Sequence, residues 1–483
     1  MVLRLVADKL EVAAVDQLTT LDAGFLKAED ADRHVSLAIG GLAVIEGPIP
    51  DRDALMATLA ERIRLCPRFG QRLRTRPFDL GAPVWVDDPD FDLGRHVRHI
   101  ALPRPGDDRE LFQLAADVIS RRLDRDRPLW EIWIIEGLSD NRWAMLTKIH
   151  HCMADGIAAT HMLAGLCDDG IGESFASHIR AAKAAVPQGR SRGGRGVNPL
   201  NILGGLWSAS TTITATAART ALGAAEIATG LLRPTTTSLN GPITTLRRYG
   251  VARVPLADIA QVCQSFDVTI NDVALAAITE SYRNILVQRG EAPLPDALRA
   301  LVPVSTRSVD ALDRTDNRVS VMLPYLPVDE EHPIDRLRTV HSRLDRTKSH
   351  GQSQAGHAFV SMANRIPFPL TAWAVRLLTQ LPQRGVATLA TNVPGPRQPL
   401  RLMGHRVLSV FPVPPIAMQL RTGVAMLSYA EDLFFGVLAD YEAVADIDAL
   451  ARGIELAVAR LVAISKHPKR TRGRRGLSLV VNV

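Results

Sequence analysis

Lys148-Ile149-His150-His151-Cys152-Met153-Ala154-Asp155-Gly156 is the stretch on which the fold and the chemistry of this 483-residue chain turn. It reads as the end of a strand that hands two histidines to a turn, with Asp155 as the N-cap of the helix that follows. His150 to Gly156 has the form H-H-x-x-x-D-G, a set of four fixed positions that chance supplies roughly once per thousand such chains. Imidazole titrates near ~6.5, so at neutral pH a histidine can keep a nitrogen lone pair and take a proton from a hydroxyl. Adjacent residues of a strand face opposite ways. One histidine can therefore look into a cavity while its neighbour packs and orients. A single strand histidine is more often a satisfied core residue than a catalyst, and an aspartate here can be only a cap. The pair followed by Asp-Gly shifts the weight to catalysis, with Asp155 as the brace of the turn.

Outward from this stretch, strands and helices alternate, which indicates an α/β (α+β) chain. With 46% hydrophobic residues it is globular, and its length exceeds what one core usually holds, so two domains are expected. Residues 37–48 have strand length and end in a Gly-Pro signal, and residues 53–65 place Leu55, Leu59 and Ile63 on one helical side. Residues 110–123 read as a helix, and 129–137 and 143–149 as strands. The helix after Asp155 groups Ala159, Met162, Leu163 and Leu166. Residues 187–196 have linker composition, and the Ala/Thr-rich run 206–232 suits a packed helix or one resting on lipid. Beyond it, a long helix starts near Thr269. Strands are expected at 300–304, 319–323, 407–411, 423–429 and 433–439, a charged amphipathic helix at 332–346 and a closing helix at 446–464. Ala390 to Pro396 reads as a turn dense in Pro and Gly. The division is 1–186, 187–240, 241–465 and a basic tail at 466–483.

Several chemistries are unsupported. Gly351-Gln352-Ser353-Gln354-Ala355 follows a charged helix and not the strand a nucleophile elbow needs. No Walker A loop, dinucleotide fingerprint or H-E-x-x-H is present. The four cysteines have no metal-ligand spacing and read as reduced thiols, and Cys152 is a poor nucleophile candidate because sequence neighbours in a strand seldom meet. No metal is expected. What remains is base catalysis by histidine.

The net charge is +6, and Lys466, Lys469, Arg470, Arg472, Arg474 and Arg475 in the tail supply as much alone. Beside the apolar Leu477 to Val481, this run suits an anionic membrane surface, with solvated disorder as the bland alternative. Nucleic acid is disfavoured because no aromatic residues are interleaved with the charges. Charge interrupts the first nine residues before a signal-peptide core can form, and the longest uncharged run, 196–218, is too polar to span a membrane.

These residues carry a resemblance. The chain resembles the bacterial wax ester synthase/diacylglycerol acyltransferase family, within the superfamily of chloramphenicol acetyltransferase and peptide-synthetase condensation domains, and especially the mycobacterial triacylglycerol synthases. The H-H-x-x-x-D-G motif marks the superfamily. Leu21-Asp22-Ala23, Pro128-Leu129-Trp130-Glu131, Asn271-Asp272-Val273 and Thr391-Asn392-Val393-Pro394-Gly395-Pro396 mark the family. Asp316-Asn317 departs from the Gly-Asn of many members.

The resemblance implies two chloramphenicol-acetyltransferase-like domains with an active-site tunnel at their interface. It implies acyl-coenzyme A as a substrate, with no cofactor, and diacylglycerol or a long-chain alcohol as acceptor. His151 would be the base, His150 would orient it, Asp155 would hold the loop and Gly156 would permit the turn. Pro128, Leu129 and Trp130 would shape the tunnel wall, with an ordinary core role as the alternative. Asn271, beside Asp272, would be either an oxyanion donor or a helix cap. The expected setting is the cytoplasmic side of the inner membrane or lipid droplets, by peripheral contact. A related acyltransferase with another alcohol or amine acceptor, and a non-catalytic lipid-binding protein, are the rival readings.

Overall fold

A computed structural model describes residues 16–75, 81–168, 237–305, 319–349, 385–417 and 419–466. The linker 187–196, the run 206–232, Asp316-Asn317, residues 351–355 and the tail beyond Lys466 lie outside the described residues.

The first half begins with α1 (Thr20–Ala31), capped by the Thr19 hydroxyl, which accepts from the Asp22 N–H. β1 (Ala38–Glu46) follows, then α2 (Arg52–Ile63), which buries Leu55, Leu59 and Ile63 at the expected spacing. A 3-10 turn (Pro67–Gly70) leads into β2 (Gln71–Arg74), paired with β3 (Val84–Asp87) as a separate ribbon. After α3 (Leu93–His96) and β4 (Val97–Ala101), α4 (Asp108–Ser120) is closed by an Asp107/Glu110 capping box. β5 (Trp130–Leu138) and β6 (Arg142–His150) form a hairpin, and α5 (Gly156–Gly165) comes next.

The second half runs β7 (Arg247–Pro255), α6 (Leu256–Phe266), α7 (Ile270–Gln288), β8 (Leu298–Ser305), β9 (Val319–Met322), β10 (Tyr325–Leu326) and α8 (Pro333–Ser349). It ends with β11 (Thr388–Pro394), β12 (Arg401–Leu402), β13 (His405–Val413), β14 (Thr422–Tyr429), β15 (Asp432–Asp440) and α9 (Ile447–Lys466). The stretch read as a turn from Ala390 is thus largely strand: β11 lies parallel to β14, with Val393 opposite Leu427. Its two prolines pull the sequence reading toward a loop, yet Pro394 is the last strand residue, where no further ladder donor is needed.

Two mixed sheets result. One has the order β12-β13-β1-β6-β5-β4, and the other β10-β8-β11-β14-β15-β7 with β9 beside β8. The first is completed by the second half of the chain. β13 runs antiparallel to β1, from Gly40 opposite Val413 to Ile45 opposite Val407. The strand expected at 407–411 exists, but it belongs to the first sheet. Aromatic edges stitch the halves together, Phe112 of α4 meeting Tyr249 of β7 at 5.8 Å and Phe411 of β13 at 5.4 Å, while Phe411 meets Phe434 of β15 at 5.2 Å between the two sheets.

Gly40 and Gly41 explain how the first sheet is covered on both faces. Consecutive strand residues point to opposite sides. A Cβ on Gly40 would stand 3.1 Å from Ile119 Cδ1 of α4, and one on Gly41 would stand 3.1 Å from Leu163 Cδ2 of α5. The pair lets a helix settle closely on each side of β1. Among the described residues, no helix is long and apolar enough to cross a membrane.

Candidate active site

The last strand of the β5–β6 hairpin delivers the histidines. Lys148 and His150 share one face of β6 because strand side chains alternate, and both are buried. Lys148 sends its ammonium to the C-terminal end of α4, donating to the carbonyls of Val118 at 2.9 Å and Arg121 at 2.5 Å. These are orphan carbonyls at the negative end of the helix dipole. Burial lowers the ammonium's pKa to about 8 against the pull of Glu131 and Glu29.

His150 is sealed in the same layer. Its backbone N–H donates to Leu129 O at 2.9 Å. Its Nδ1 accepts from the Cys152 N–H at 3.1 Å, and its Nε2 stands 3.5 Å from Glu29 Oε2. Glu29, on α1, is 1% exposed. It also accepts from the Leu37 N–H at 3.0 Å and from Arg125 at 2.7 Å. Burial pushes this carboxyl upward, but His150, Arg125 and the Leu37 N–H outweigh it and bring its pKa down to about 2.

His151 lies just past the strand end and is half-buried. Its backbone N–H donates to Leu37 O at 2.9 Å, and its ring stacks on Phe25 of α1, with centroids 4.3 Å apart and planes at 27°. The two neighbouring imidazoles therefore occupy different settings, one packed against a carboxylate and one laid on an aromatic face. Cys152 is buried, and burial pushes its thiol well above the usual range, which suits packing and not attack.

Asp155 caps α5, accepting from the Ala158 N–H at 2.9 Å, as the sequence predicts. Gly156 has a different reason to be glycine. Its backbone is not in the left-handed region, so the turn does not require it. A Cβ there would stand 2.7 Å from Val393 Cγ2. Gly156 is the place where β11 of the second half passes over the start of α5.

One residue before Val393, Asn392 donates to Asn271 Oδ1 at 2.5 Å. Asn271 is not the helix cap. That task belongs to Thr269, whose hydroxyl accepts from the Asp272 N–H in a capping box. Asp272 is buried and accepts from the Thr269 N–H and hydroxyl and from His341 Nδ1, each at 2.8 Å. Asn271 itself is exposed.

Pro128, Leu129 and Trp130 are buried in the first half. Trp130 donates from its indole N–H to Phe69 O at 2.8 Å and stacks on His96 at 4.5 Å. It lines a cavity of about 10 Å³ with Phe69, Thr147, Ile149, Met162 and Leu163, room for about one water. Leu129 serves the site through its backbone carbonyl on His150.

Sequence reasoning misses Phe25 and Glu29. Their signal is present, because Asp22, Phe25 and Glu29 are three and four residues apart and share one helical face. Only the fold shows that this face meets the histidines.

The architecture is that of the two-domain, chloramphenicol-acetyltransferase-like acyltransferases. The first condensation domain of the CDA synthetase superimposes with a TM-score of 0.59 over 94% of this chain and 97% of its own, at 16% identity, which speaks to fold alone. A wax ester synthase/diacylglycerol acyltransferase from Marinobacter aquaeolei superimposes with a TM-score of 0.62 at 27% identity, over 93% of this chain and all of its own. The model of the wax ester synthase/diacylglycerol acyltransferase catalytic domain matches residues 18–274, and that of the WS/DGAT C-terminal domain matches residues 315–461. The chain belongs to the wax ester synthase/diacylglycerol acyltransferase family. It is 68% identical to the probable diacylglycerol O-acyltransferase tgs1 of Mycobacterium tuberculosis, over 97% of this chain and the whole of that one.

Proposed function

We propose that the protein is an acyl-coenzyme A:diacylglycerol O-acyltransferase that makes triacylglycerol, with long-chain alcohols as a second acceptor. The observation that carries this reading is the contrast between the paired histidines: His150 is sealed against Glu29, while His151 is half-buried with its ring on Phe25. His151 takes the proton of the acceptor hydroxyl as that oxygen attacks the thioester carbonyl. The tetrahedral intermediate collapses with cleavage of the carbon–sulfur bond, and the proton passes from His151 to the departing thiolate. Asn271 is the amide we assign to the oxyanion, held by its bond to Asn392. No covalent acyl-enzyme is needed, and the buried thiol of Cys152 is unsuited to form one.

An assay with labelled acyl-coenzyme A and diacylglycerol, hexadecanol or glycerol tests the assignment. Diacylglycerol is expected to be the best acceptor, and His151→Ala is expected to lower kcat by about 10²- to 10⁴-fold, the usual contribution of a positioned base. Turnover that survives the substitution rejects the mechanism. The basic tail from Lys466 gives the protein its hold on anionic lipid surfaces. Removing residues 466–483 is expected to reduce sedimentation with phosphatidylserine vesicles, and unchanged sedimentation rejects that hold.

A further inference from the structure

We infer that Glu29 is a positioning residue for catalysis, acting through His150 and Leu37 to hold the turn that presents His151. This rests on the reading of His151 as base and extends it to α1, outside the H-H-x-x-x-D-G stretch.

Three groups converge on the Glu29 carboxylate: two donate hydrogen bonds to it, and the third, the His150 ring, faces it without reaching hydrogen-bond geometry. Oε1 receives the Leu37 N–H at 3.0 Å, while Oε2 receives the Arg125 guanidinium at 2.7 Å and faces His150 Nε2 at 3.5 Å. The imidazole must present a proton to Glu29 because its other nitrogen, Nδ1, is already accepting from the Cys152 N–H. Neutral imidazole has one donor and one acceptor nitrogen. The negative charge of Glu29 selects the form with hydrogen on Nε2 and leaves the Nδ1 lone pair for Cys152.

The next step reaches the base. Cys152 N–H on His150 Nδ1 and Met153 N–H on His150 O, at 2.9 Å, fold the chain back immediately after His151. On the other side, the His151 N–H is held by Leu37 O, and the Leu37 N–H is held by Glu29 itself. Glu29 thus governs both ends of the segment that aims His151, and Phe25, one turn earlier on the same helix, supplies the face on which the ring rests. An amide cannot replace this carboxylate. Whichever way a glutamine is turned, its NH₂ meets a donor, either the Leu37 N–H or the Arg125 and His150 pair. Turned toward His150, it also draws the imidazole proton to Nδ1 and opposes the Cys152 N–H.

The test is a kinetic cycle on the full chain with Glu29→Gln, Glu29→Asp, His150→Asn and the Glu29→Gln/His150→Asn double variant, each checked for folding by thermal denaturation. Glu29→Gln is expected to lower kcat by about 10- to 100-fold, the scale of a small misplacement of a reacting group, with KM for acyl-coenzyme A and diacylglycerol unchanged. Glu29→Asp, which keeps the charge, is expected to recover part of that loss. The double variant is expected to be slower than His150→Asn by less than the factor that Glu29→Gln costs alone, because one of the two routes from Glu29 runs through His150 and the other through Leu37. A Glu29→Gln enzyme with unaltered kcat, a loss confined to KM, or losses that multiply in the double variant would each overturn the proposal. If Glu29→Gln does not fold, the same cycle run with Glu29→Asp decides. His151→Ala runs alongside: if it retains turnover, the base assignment itself has failed, whereas an inactive His151→Ala beside a fully active Glu29→Gln removes only the role of Glu29.

Discussion

Gly156 is where the second half of the molecule comes nearest the reactive turn, and its single hydrogen is a matter of clearance. Alanine there puts its methyl carbon 2.7 Å from Val393 Cγ2, and valine cannot swing away because its branch is at Cβ. Either β11 or the start of α5 must move. Gly156→Ala is expected to destabilise the protein by about 1–3 kcal/mol, the usual cost of overpacking, and Val393→Ala in the same chain is expected to restore most of it. Urea denaturation midpoints of the two single variants and the double variant measure this directly, and a strictly additive cycle would show that the two residues do not compete for space. The glycine is visible in the motif, but its reason is not, because the residue it must avoid lies in the other half of the chain.

Among the elements, β6 and α5 are legible in the sequence: the apolar run ending in histidines and the Asp155 cap are local signals, and both elements stand where the residues place them. The ribbon of β2 and β3, the edge strand β4 and the strand β7 are not. Their apolar content is short or broken by arginine, as at Arg72 and Arg74 in β2, Arg98 in β4 and Arg247 and Arg248 in β7, so periodicity is weak until neighbours supply the pairing. The hairpin of β12 and β13 shows the same limit from the other side. Its longer strand can be read, but that strand's partner cannot, because nothing near residue 407 says that β1 is waiting. What holds the hairpin is the carboxylate of Asp168, just beyond α5. It accepts from the Met403 N–H at 3.0 Å and the Gly404 N–H at 2.7 Å, and pairs with Arg62 at 2.5 Å. Burial pushes this carboxyl up, but the Gly404 N–H, Arg62 and the Met403 N–H outweigh it and hold the carboxyl below its usual range. The unfolded chain therefore binds the proton more readily than the folded one. The contribution to stability is complete above the ordinary aspartate pKa of ~3.9 and is lost as the pH falls through the lower folded value. Asp168→Ala is expected to cost about 1–3 kcal/mol near neutral pH, as for lost hydrogen bonds to a charged acceptor. The gap from the unchanged protein should close on acidification below pH ~4, and a gap independent of pH would argue against the carboxylate as the grip.

At the scale of the whole molecule, the two halves are joined by more than the chain between them. β13 is one of the two neighbours of β1, and the aromatic contacts of Phe112 with Tyr249 and Phe411 cross the same boundary. If the chain is divided between Arg190 and Ser191 and the two pieces are produced together, they are therefore expected to elute as one complex in size-exclusion chromatography and to separate only in denaturant. Pieces that part in native buffer would show that the shared sheet contributes little to cohesion. The pairing of β1 with β13 also bears on the order of synthesis. The edge of β1 emerges from the ribosome early, whereas the strand that covers it emerges some 360 residues later, the separation of Glu46 from the Arg406 N–H it receives. Through most of translation that edge stands open to any passing strand, so the nascent chain is at its most vulnerable to aggregation until its last quarter has been made.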